Sequence, residues 1–314
     1  MKSLRSLTLY EVCPRCGGCR VPCRMFSYRH AFHAGNHADV LKHTAWIALL
    51  RYLIQKDAAL AVIDTHAGAG VYRLDGEQAL TSGEAVDGIG RLLALPADAA
   101  ATMAPALVDY LEVVRGFNRS RISIYPGSPF IAQRLVRGHD RLKLFELHPT
   151  DARALDRHVA DLRAGRQVAV LREDGFEHLK KFLPPPSRRA LVLIDPSYEI
   201  KTDYARVQTL MADSLKRFPT GTYVVWHPII ARPEAHDLPR RLRTLATRLQ
   251  RPWLWATLTV KSGKRAQGLP ASGLFIVNPP HTLAASLREA LPQMAQWLAQ
   301  DDTADWQLET DPKN

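Results

Sequence analysis

Short apolar runs alternate with amphipathic segments along most of the chain, and this alternation predicts an α/β domain. One helix is predicted to begin near Asn36 to Asp39. Further helices are predicted over 131–138, after Asp151, over 175–183 and through the 230s and 240s. Strands are predicted at 60–64, 142–146, 167–174, 190–199, 222–229, 253–260 and 273–280. Strands that alternate with helices in this way indicate a doubly wound, mostly parallel sheet.

Three stretches depart from the alternation. Residues 75–124 pass from turn-forming residues to Ala-rich helical segments, which predicts an inserted helical subdomain between the two parts of the main domain, 25–74 and 125–298. Residues 299–314 are an acidic tail that we expect to be poorly ordered. Residues 1–24 form a separate N-terminal extension.

The extension carries all four cysteines, Cys13, Cys16, Cys19 and Cys23, so residues 25–314 cannot depend on disulfides. Their spacing matches a run known from iron–sulfur proteins and leaves a zinc or iron–sulfur site open. Against this, the fourth cysteine of that run usually serves a second cluster, for which no ligands exist here. The other interpretation is a start codon assigned too early, with Met25 as the true first residue.

The chain carries 42 Lys and Arg against 31 Asp and Glu, a formal net charge of +11. This excess favours a polyanionic partner such as RNA or DNA. No apolar run reaches the roughly 18 residues of a membrane helix, and the N-terminus lacks the pattern of a secretory signal. We therefore expect a soluble, cytoplasmic protein.

The segment from Leu191 to Tyr198 offers the strongest chemical signal. A buried strand ends in the carboxylate of Asp195, Pro196 stiffens the following turn, and the aromatic ring of Tyr198 stands at the carboxyl edge of the sheet, where α/β folds bind ligands. A carboxylate can hold the hydrogens of an exocyclic aromatic amine while that amine attacks a methyl group, and the ring could stack on the base. The alternative is that Asp-Pro simply ends a strand and Tyr198 fills a gap.

The turn after the first strand, Asp64-Thr-His66-Ala-Gly68-Ala-Gly70, lets a cofactor approach the backbone but lacks the third glycine of a dinucleotide fingerprint. This favours S-adenosylmethionine, which has no pyrophosphate, over a nicotinamide cofactor. Glu146, at a later strand end, could accept hydrogen bonds from ribose hydroxyls. Asp174-Gly175 could reach the cofactor's adenine, although an ordinary helix N-cap is the simpler interpretation.

Four histidines near the start, His30, His33, His37 and His43, invite a metal hypothesis, but no third ligand has suitable spacing and Gly35-Asn36 interrupts a helix there. We expect no metal. The positive charges of this block, placed beside an aromatic residue, suit phosphate and base contacts instead; they are Arg29, His30 and Lys42, next to Tyr28.

In order, the blocks SYRHAFHAGNHADVLKH, DTHAGAG, YPGSP, ELHP, LIDPSYE, KTDY and ASGLFIVNPP resemble the RlmJ family from Met25 to about Pro280. The resemblance implies a Rossmann-like class I S-adenosylmethionine-dependent methyltransferase, a monomer, that methylates N6 of an adenine in 23S rRNA, adenine 2030, without a metal. It implies that Asp195 is the acceptor within an Asp-Pro-Pro-Tyr type motif. It also implies a cofactor site of His43, His66, Gly68, Ser128, Glu146, Asp174 and Gly175, and an RNA-contacting set of Tyr28, His30 and Lys42.

Two features depart from the family pattern. Ser197 replaces the second proline of the motif, which puts the efficiency of the reaction in question. Residues 1–24 have no counterpart. Two other functions stay open from the residues alone: a DNA adenine-N6 methyltransferase of the same fold, and a non-catalytic RNA-binding protein in which Ser197 marks a decayed site.

Overall fold

The computed structural model describes residues 29–263 and 268–311. The N-terminal extension with its four cysteines, Met25 and the predicted RNA-contacting residue Tyr28 lie outside the described residues. Within the described part, no helix is both long and apolar enough to cross a membrane.

The fold is built on an eight-stranded sheet in the order β10-β8-β9-β7-β6-β1-β4-β5, beside a two-stranded ribbon of β2 and β3. From β7 through β6, β1 and β4 to β5 all neighbours are parallel, whereas β9, β8 and β10 add three antiparallel pairings. The strands are β1 (Ala61–Asp64), β2 (Val71–Arg73), β3 (Ile124–Pro126), β4 (Arg141–Phe145), β5 (Val168–Leu171), β6 (Ala190–Ile194), β7 (Thr222–Ile229), β8 (Trp253–Thr259), β9 (Ala271–Val277) and β10 (Asp305–Thr310).

Helices cover both faces of the sheet, and this confirms the predicted doubly wound α/β class. One hydrophobic core lies under α1, α5, α6 and α11, and a second lies under α9 and α10. The helices are α1 (His37–Leu53), α2 (Glu77–Ser82), α3 (Arg91–Leu93), α4 (Ala97–Ala101), α5 (Pro105–Arg115), α6 (Ser128–Leu135), α7 (Pro149–Asp161), α8 (Gly175–His178), α9 (Thr202–Arg217), α10 (Pro233–Arg248) and α11 (Leu283–Leu298).

Helix α1 begins where the sequence predicts, because the side chain of Asn36 caps it by accepting a hydrogen bond from the backbone N–H of Asp39 at 3.0 Å. Most of the helix is buried, including its charged and polar first two turns. Trp46 ties it to α6 by donating to the carbonyl of Ser128 at 3.2 Å. The polar N-terminal half of α1 is therefore held rigidly inside the protein.

The segment 75–124 contains α2 to α5 and runs between the paired strands β2 and β3. It shares a core with the main domain, because α5 packs on both α1 and α11. The helical segment therefore supports α1 from behind.

The expectation of a poorly ordered tail is wrong for residues 305–310. They form β10, which pairs antiparallel with β8 along its whole length and becomes the edge of the sheet. The physical reason is that the open edge of β8 offers a row of backbone donors and acceptors, and pairing with them outweighs the low strand propensity of the acidic residues.

Candidate active site

The carboxyl ends of β1, β4, β5 and β6 meet at one edge of the sheet and enclose a cavity of about 400 Å³. A volume of this size is typical of small-molecule sites. Eleven of the predicted site residues line it: His30, Lys42, His43, His66, Gly68, Ser128, Glu146, Asp174, Gly175, Asp195 and Pro196. The parallel topology therefore brings together positions that lie far apart in the sequence.

The turn after β1 is shaped by two close contacts. Gly68 has a φ of +62°, and a Cβ at this position would collide with the hydroxyl of Tyr72. The Asp64 carboxylate accepts hydrogen bonds from Ser128 Oγ at 2.6 Å and from the His66 N–H at 3.1 Å. Burial raises the pKa of Asp64 to about 6. Ser128 thus acts through Asp64 and fixes the floor of the cavity.

Glu146 follows β4 and faces this turn. Its two carboxylate oxygens accept hydrogen bonds from the backbone N–H groups of Gly68 and His148, each at 2.7 Å. Burial raises the pKa of Glu146 to about 7, against the effect of these two donors. The carboxylate is therefore oriented by the backbone while its remaining lone pairs stay available to a ligand.

Asp174 caps α8, as the simpler sequence interpretation holds, by accepting from the Phe176 N–H at 2.9 Å. Its second oxygen accepts from Arg206 at 2.6 Å. Gly175 lies so close to the carbonyl of Thr65 that a side chain there would collide with it. The turns that follow β5 and β1 can therefore approach each other this closely only because residue 175 is glycine.

Among the other residues that line the cavity, three that shape its cofactor side were missed by sequence reasoning: Leu147, Phe176 and Arg206. The Arg206 guanidinium lies 4.2 Å from the centre of the Phe176 ring, and the His66 ring meets that ring edge-on at 4.8 Å. Leu147 is 49% exposed. Leu147 and Phe176 directly follow Glu146 and the Asp174-Gly175 pair, so their place next to strand-end polar residues was a usable signal. Arg206, on α9, carried no such signal.

Asp195 projects from the end of β6 toward α1. Lys42 Nζ lies 2.7 Å from Asp195 Oδ2 and 2.8 Å from Asp39 Oδ1. Although burial opposes the charged form, the two carboxylates raise the pKa of Lys42 well above its usual range. The Lys42 ammonium, which is 4% exposed, is therefore a fixed positive charge behind the Asp195 carboxylate.

Asp39 completes this network. It accepts from the Gly35 N–H at 2.9 Å and pairs with His30 Nε2 at 3.0 Å. Burial opposes its ionisation, but His30 and Lys42 hold the pKa of Asp39 well below its usual range. The polar start of α1 is thus an ordered chain of charges that ends at Asp195.

The other histidines of the block do not assemble a metal site. His33 pairs with Glu84 at 3.0 Å, and His43 Nδ1 lies 2.8 Å from the hydroxyl of Tyr125. Burial lowers the pKa of His37 to about 4 and that of His43 to about 3. Across residues 29–263 and 268–311, no group of three or more His, Cys, Asp or Glu side chains is placed to hold a metal ion.

Tyr198 does not lie where its predicted stacking role needs it. The residue has a φ of +55°, its side chain is 2% exposed, and its hydroxyl donates to the carbonyl of Trp226 at 2.7 Å. Its ring packs against Tyr204 at 4.6 Å. The left-handed backbone turns the side chain into the core under α9, so Pro196 and Ser197 reach the cavity in its place.

Comparison with known proteins agrees with this geometry. The family model "Ribosomal RNA large subunit methyltransferase D, RlmJ" matches residues 57–310. Ribosomal RNA large subunit methyltransferase J of Escherichia coli (strain K12) is 43% identical over 272 residues, which cover 85% of this chain and 92% of that protein. The protein of the same name from Haemophilus influenzae (strain ATCC 51907 / DSM 11121 / KW20 / Rd) is 38% identical over 290 residues, 91% of this chain and 98% of that one.

Among solved structures, protein LPL1258 from Legionella pneumophila str. Philadelphia 1 superposes with a TM-score of 0.77 at 31% identity. The match covers 90% of this chain and 99% of that one. Sequence and fold agree over nearly the whole described chain, including every strand that builds the cavity. The chain therefore belongs to the RlmJ family of ribosomal RNA large subunit methyltransferases.

Proposed function

We propose that this protein transfers the methyl group of S-adenosylmethionine to the N6 amine of an adenine in 23S rRNA, the adenine 2030 that the family resemblance implies. The observation that carries the proposal is that a single cavity holds both the Asp195 carboxylate and the strand-end carboxylates Glu146 and Asp174. An acceptor for an amine and a binding site for an adenosine cofactor therefore share one space.

The cofactor half is formed by the turns after β1, β4 and β5. Glu146 is oriented to accept hydrogen bonds from the two ribose hydroxyls. The exposed Leu147 and the Phe176 ring offer apolar surfaces for the adenine, and Asp174 lies beside them. The chemistry of this donor set fits S-adenosylmethionine, which when bound supplies an electrophilic methyl group on sulfur.

The substrate half is formed by Asp195, Pro196 and Ser197 with the start of α1. The lone pair of an aromatic exocyclic amine is delocalised into the ring, so the amine is a poor nucleophile. Asp195 can accept a hydrogen bond from N6 while its other contact, the Lys42 ammonium, fixes the orientation of the carboxylate. With S-adenosylmethionine bound, the N6–methyl bond would form as the sulfur–methyl bond breaks, and Asp195 is placed to take the departing N6 proton. The rate then depends mainly on positioning.

His30 lines the cavity and holds Asp39, and through Asp39 it supports Lys42. We propose that His30 and Lys42 act through this network, and that Tyr28, two residues before His30, contacts the RNA. His43, which is buried against Tyr125, positions α1 at the cofactor site. For His30, Lys42 and His43, these roles extend the resemblance with contacts that fix the side chain.

The test is methyl transfer from labelled S-adenosylmethionine to unmodified 23S rRNA, free and in ribosome assembly particles, and to DNA. We expect N6-methyladenine in the RNA, and a loss of about 10³-fold for Asp195→Asn with cofactor binding retained. Asp213→Asn, an exposed carboxylate paired with Arg217, is the matched control. Methylation of DNA alone would favour a DNA enzyme, and cofactor binding without transfer to any substrate would favour a non-catalytic RNA-binding protein.

Two further expectations complete the proposal. Free rRNA or an assembly intermediate in the cytoplasm is the substrate, and light scattering should show a monomer. A chain that starts at Met25 should be as active as the full chain if residues 1–24 are not used, and a loss of activity would give the extension a role.

A further inference from the structure

A second cavity, of about 330 Å³, lies on the antiparallel side of the sheet between α10 and the surface of β7, β8, β9 and β10. It shares no residue with the candidate active site. Its floor includes His227, Trp255 and Thr257, and its wall includes Arg240 and Arg243. Nothing in the proposed chemistry uses these side chains.

Three basic residues of α10 line the wall: His236, Arg240 and Arg243. They follow one another at intervals of four and three residues, so they share one side of the helix. We define the basic stripe as these three residues together with Arg232, the extended residue that precedes the first turn of α10. The stripe begins beside the loop that follows Asp195, because Arg232 Nη1 lies 3.5 Å from the carbonyl of Tyr198 in that loop.

Arg240 is exposed and has no side-chain partner within the described ranges, and Arg243 makes an exposed pair with Glu309 at 3.1 Å. Exposed arginines of this kind exchange their partners at little energetic cost. The arginines of the stripe can therefore bind an incoming polyanion.

The floor carries an aromatic ring that is held in place. Trp255 is half-buried, its Nε1–H donates to His227 Nε2 at 3.1 Å, and the two rings stack at 6.3 Å. His227 is fully buried, and a side chain at Gly273 on the neighbouring strand would collide with it. Burial lowers the pKa of His227 to about 4, so the ring is neutral and can accept the tryptophan hydrogen bond. Trp255 is a pre-organised apolar surface beside the stripe.

Fixed aromatic rings next to a row of arginines are the features with which proteins bind single-stranded nucleic acid, since the rings stack on bases and the arginines hold phosphates. Two acidic residues, Asp305 and Glu309, also line the cavity, and Glu309 is already paired with Arg243. An acidic peptide would satisfy the arginines but would leave the indole surface without a planar partner. The chemistry therefore favours RNA.

Resting on the proposed function, we propose that this groove, the cavity between α10 and the β7–β10 surface, binds the single-stranded RNA that flanks the target adenine. Three strand spacings separate β6 from β8, which is roughly 15 Å at about 4.8 Å per strand. A few nucleotides can bridge this distance. The phosphates lie along Arg232, Arg240 and Arg243, and one base stacks on Trp255.

The experiment compares two fluorescently labelled RNAs by anisotropy, a hairpin with the target adenine alone and the same hairpin with single-stranded extensions on either side. The variant is Arg240→Gln with Arg243→Gln. The control is Arg241→Gln, which removes an exposed charge on another side of α10, where Arg241 contacts Asp237 and Gln208. The three arginines are exposed, so their substitution leaves folding intact.

We expect the double variant to bind the extended RNA about tenfold more weakly than the parent does, and to bind the bare hairpin as the parent does. The slope of log Kd against log salt for that extended RNA should fall by about 1.4, since each of two phosphates that are no longer neutralised accounts for about 0.7 of the slope. Transfer at saturating RNA should be unchanged. Trp255→Leu should weaken the same complex, and a photo-crosslinking base in the bound extension should mark residues 253–259.

An equal loss of affinity with Arg241→Gln, or an equal loss for both RNAs, would contradict RNA binding in the groove. It would indicate that the positive charge of the whole helix attracts RNA without a defined site. Unchanged binding of the extended RNA would overturn the proposed groove outright. Binding is measured without turnover, so a parent chain that bound extended RNA through the stripe but failed to methylate it would refute the proposed function and leave the groove standing.

Discussion

Charged side chains are buried in one half of the sheet and exposed to solvent in the other. On the parallel side, Lys42, Asp39 and Asp195 form a nearly buried network in which the pKa of Asp39 is held low and that of Lys42 is raised. On the antiparallel side, Arg240 and the Arg243–Glu309 pair are open to solvent. Charged residues therefore serve as rigid positioning groups in one half and as adjustable surface charges in the other.

The difference follows from solvation. A charge removed from water must keep every partner, so the loss of one partner disturbs the whole network. A charge in water loses little when its partner leaves, and salt screens it. Single substitutions should therefore have large effects in the parallel half and small, salt-dependent effects in the antiparallel half.

The largest effect should come from Lys42→Met. This change leaves the buried carboxylates of Asp39 and Asp195 without their shared cation, and we expect the free energy of unfolding to fall by about 3–5 kcal/mol, together with a loss of methyl transfer. Urea denaturation measures the first. Lys180→Met, at an exposed lysine, is the control and should stay within about 0.5 kcal/mol of the parent. Equal stability of the two variants would contradict the contrast between the halves.

Glu146→Gln should act on cofactor affinity. The loss of a charged acceptor for the ribose hydroxyls should weaken S-adenosylmethionine binding by about 10- to 100-fold in calorimetry. In the parent, the Glu146 pKa of about 7 means that the carboxyl is protonated below and ionised above this pH. Binding should therefore weaken about fourfold from pH 8 to pH 6.5, a range in which Asp64 stays mostly ionised.

The same pKa fixes the sign of the stability change without cofactor. Because the raised pKa belongs to the folded state, folding favours the protonated carboxyl, and the contribution of Glu146 to stability should decrease as the pH rises toward and through 7. Glu146→Gln should remove the pH dependence of cofactor binding and the Glu146 contribution to the pH dependence of stability, whereas Glu112→Gln, at an exposed position, should keep both. An equal pH dependence in the parent and in Glu146→Gln would assign the effect to another group.

Tyr198→Phe tests the boundary between the halves, because the hydroxyl of Tyr198 links the loop after β6 to β7. Loss of this hydrogen bond should lower stability by about 1 kcal/mol and leave kcat within about twofold. Tyr198→Leu keeps an apolar side chain in the core and removes the ring. A drop in kcat of more than tenfold for folded Tyr198→Leu would show that the ring leaves the core to stack on the base during turnover.

The smallest effect should come from Glu309→Gln in the antiparallel half. Both side chains of the pair with Arg243 are exposed, so the free energy of unfolding should change by less than about 1 kcal/mol. This change should be smaller at high salt. Release of Arg243 should slightly tighten the binding of RNA with single-stranded extensions. A shift as large as that of Lys42→Met would remove the distinction between buried and exposed charge.

The sequence predicted the parts of the site that depend on local pattern. Buried strands can be recognised in the sequence as apolar runs, and residues that directly follow parallel strands must meet at one edge of the sheet. Asp64, Glu146, Asp174 and Asp195 could therefore be placed together without coordinates. The start of α1 was equally predictable, because Asn36 is a strong N-cap.

Other features depended on contacts that no local pattern encodes. Lys42 was predicted to face RNA, yet it lies against Asp195, which is 153 positions away in the chain. Arg206 reaches Asp174 only because α9 packs beside α8. Their partners follow from how whole helices are oriented against the sheet, which is decided by the packing of many side chains at once.

The sequence by itself thus determined the fold class, the family and the set of residues at the carboxyl edge, since these follow from periodicity and from motifs that are local in the chain. Only the tertiary structure decided that Tyr198 turns into the core, that residues 305–310 close the sheet, and that Arg240 and Trp255 share a groove. Side-chain direction and long-range pairing are the physical reason, because a small rotation of the backbone or an open sheet edge changes which groups meet without changing the local pattern.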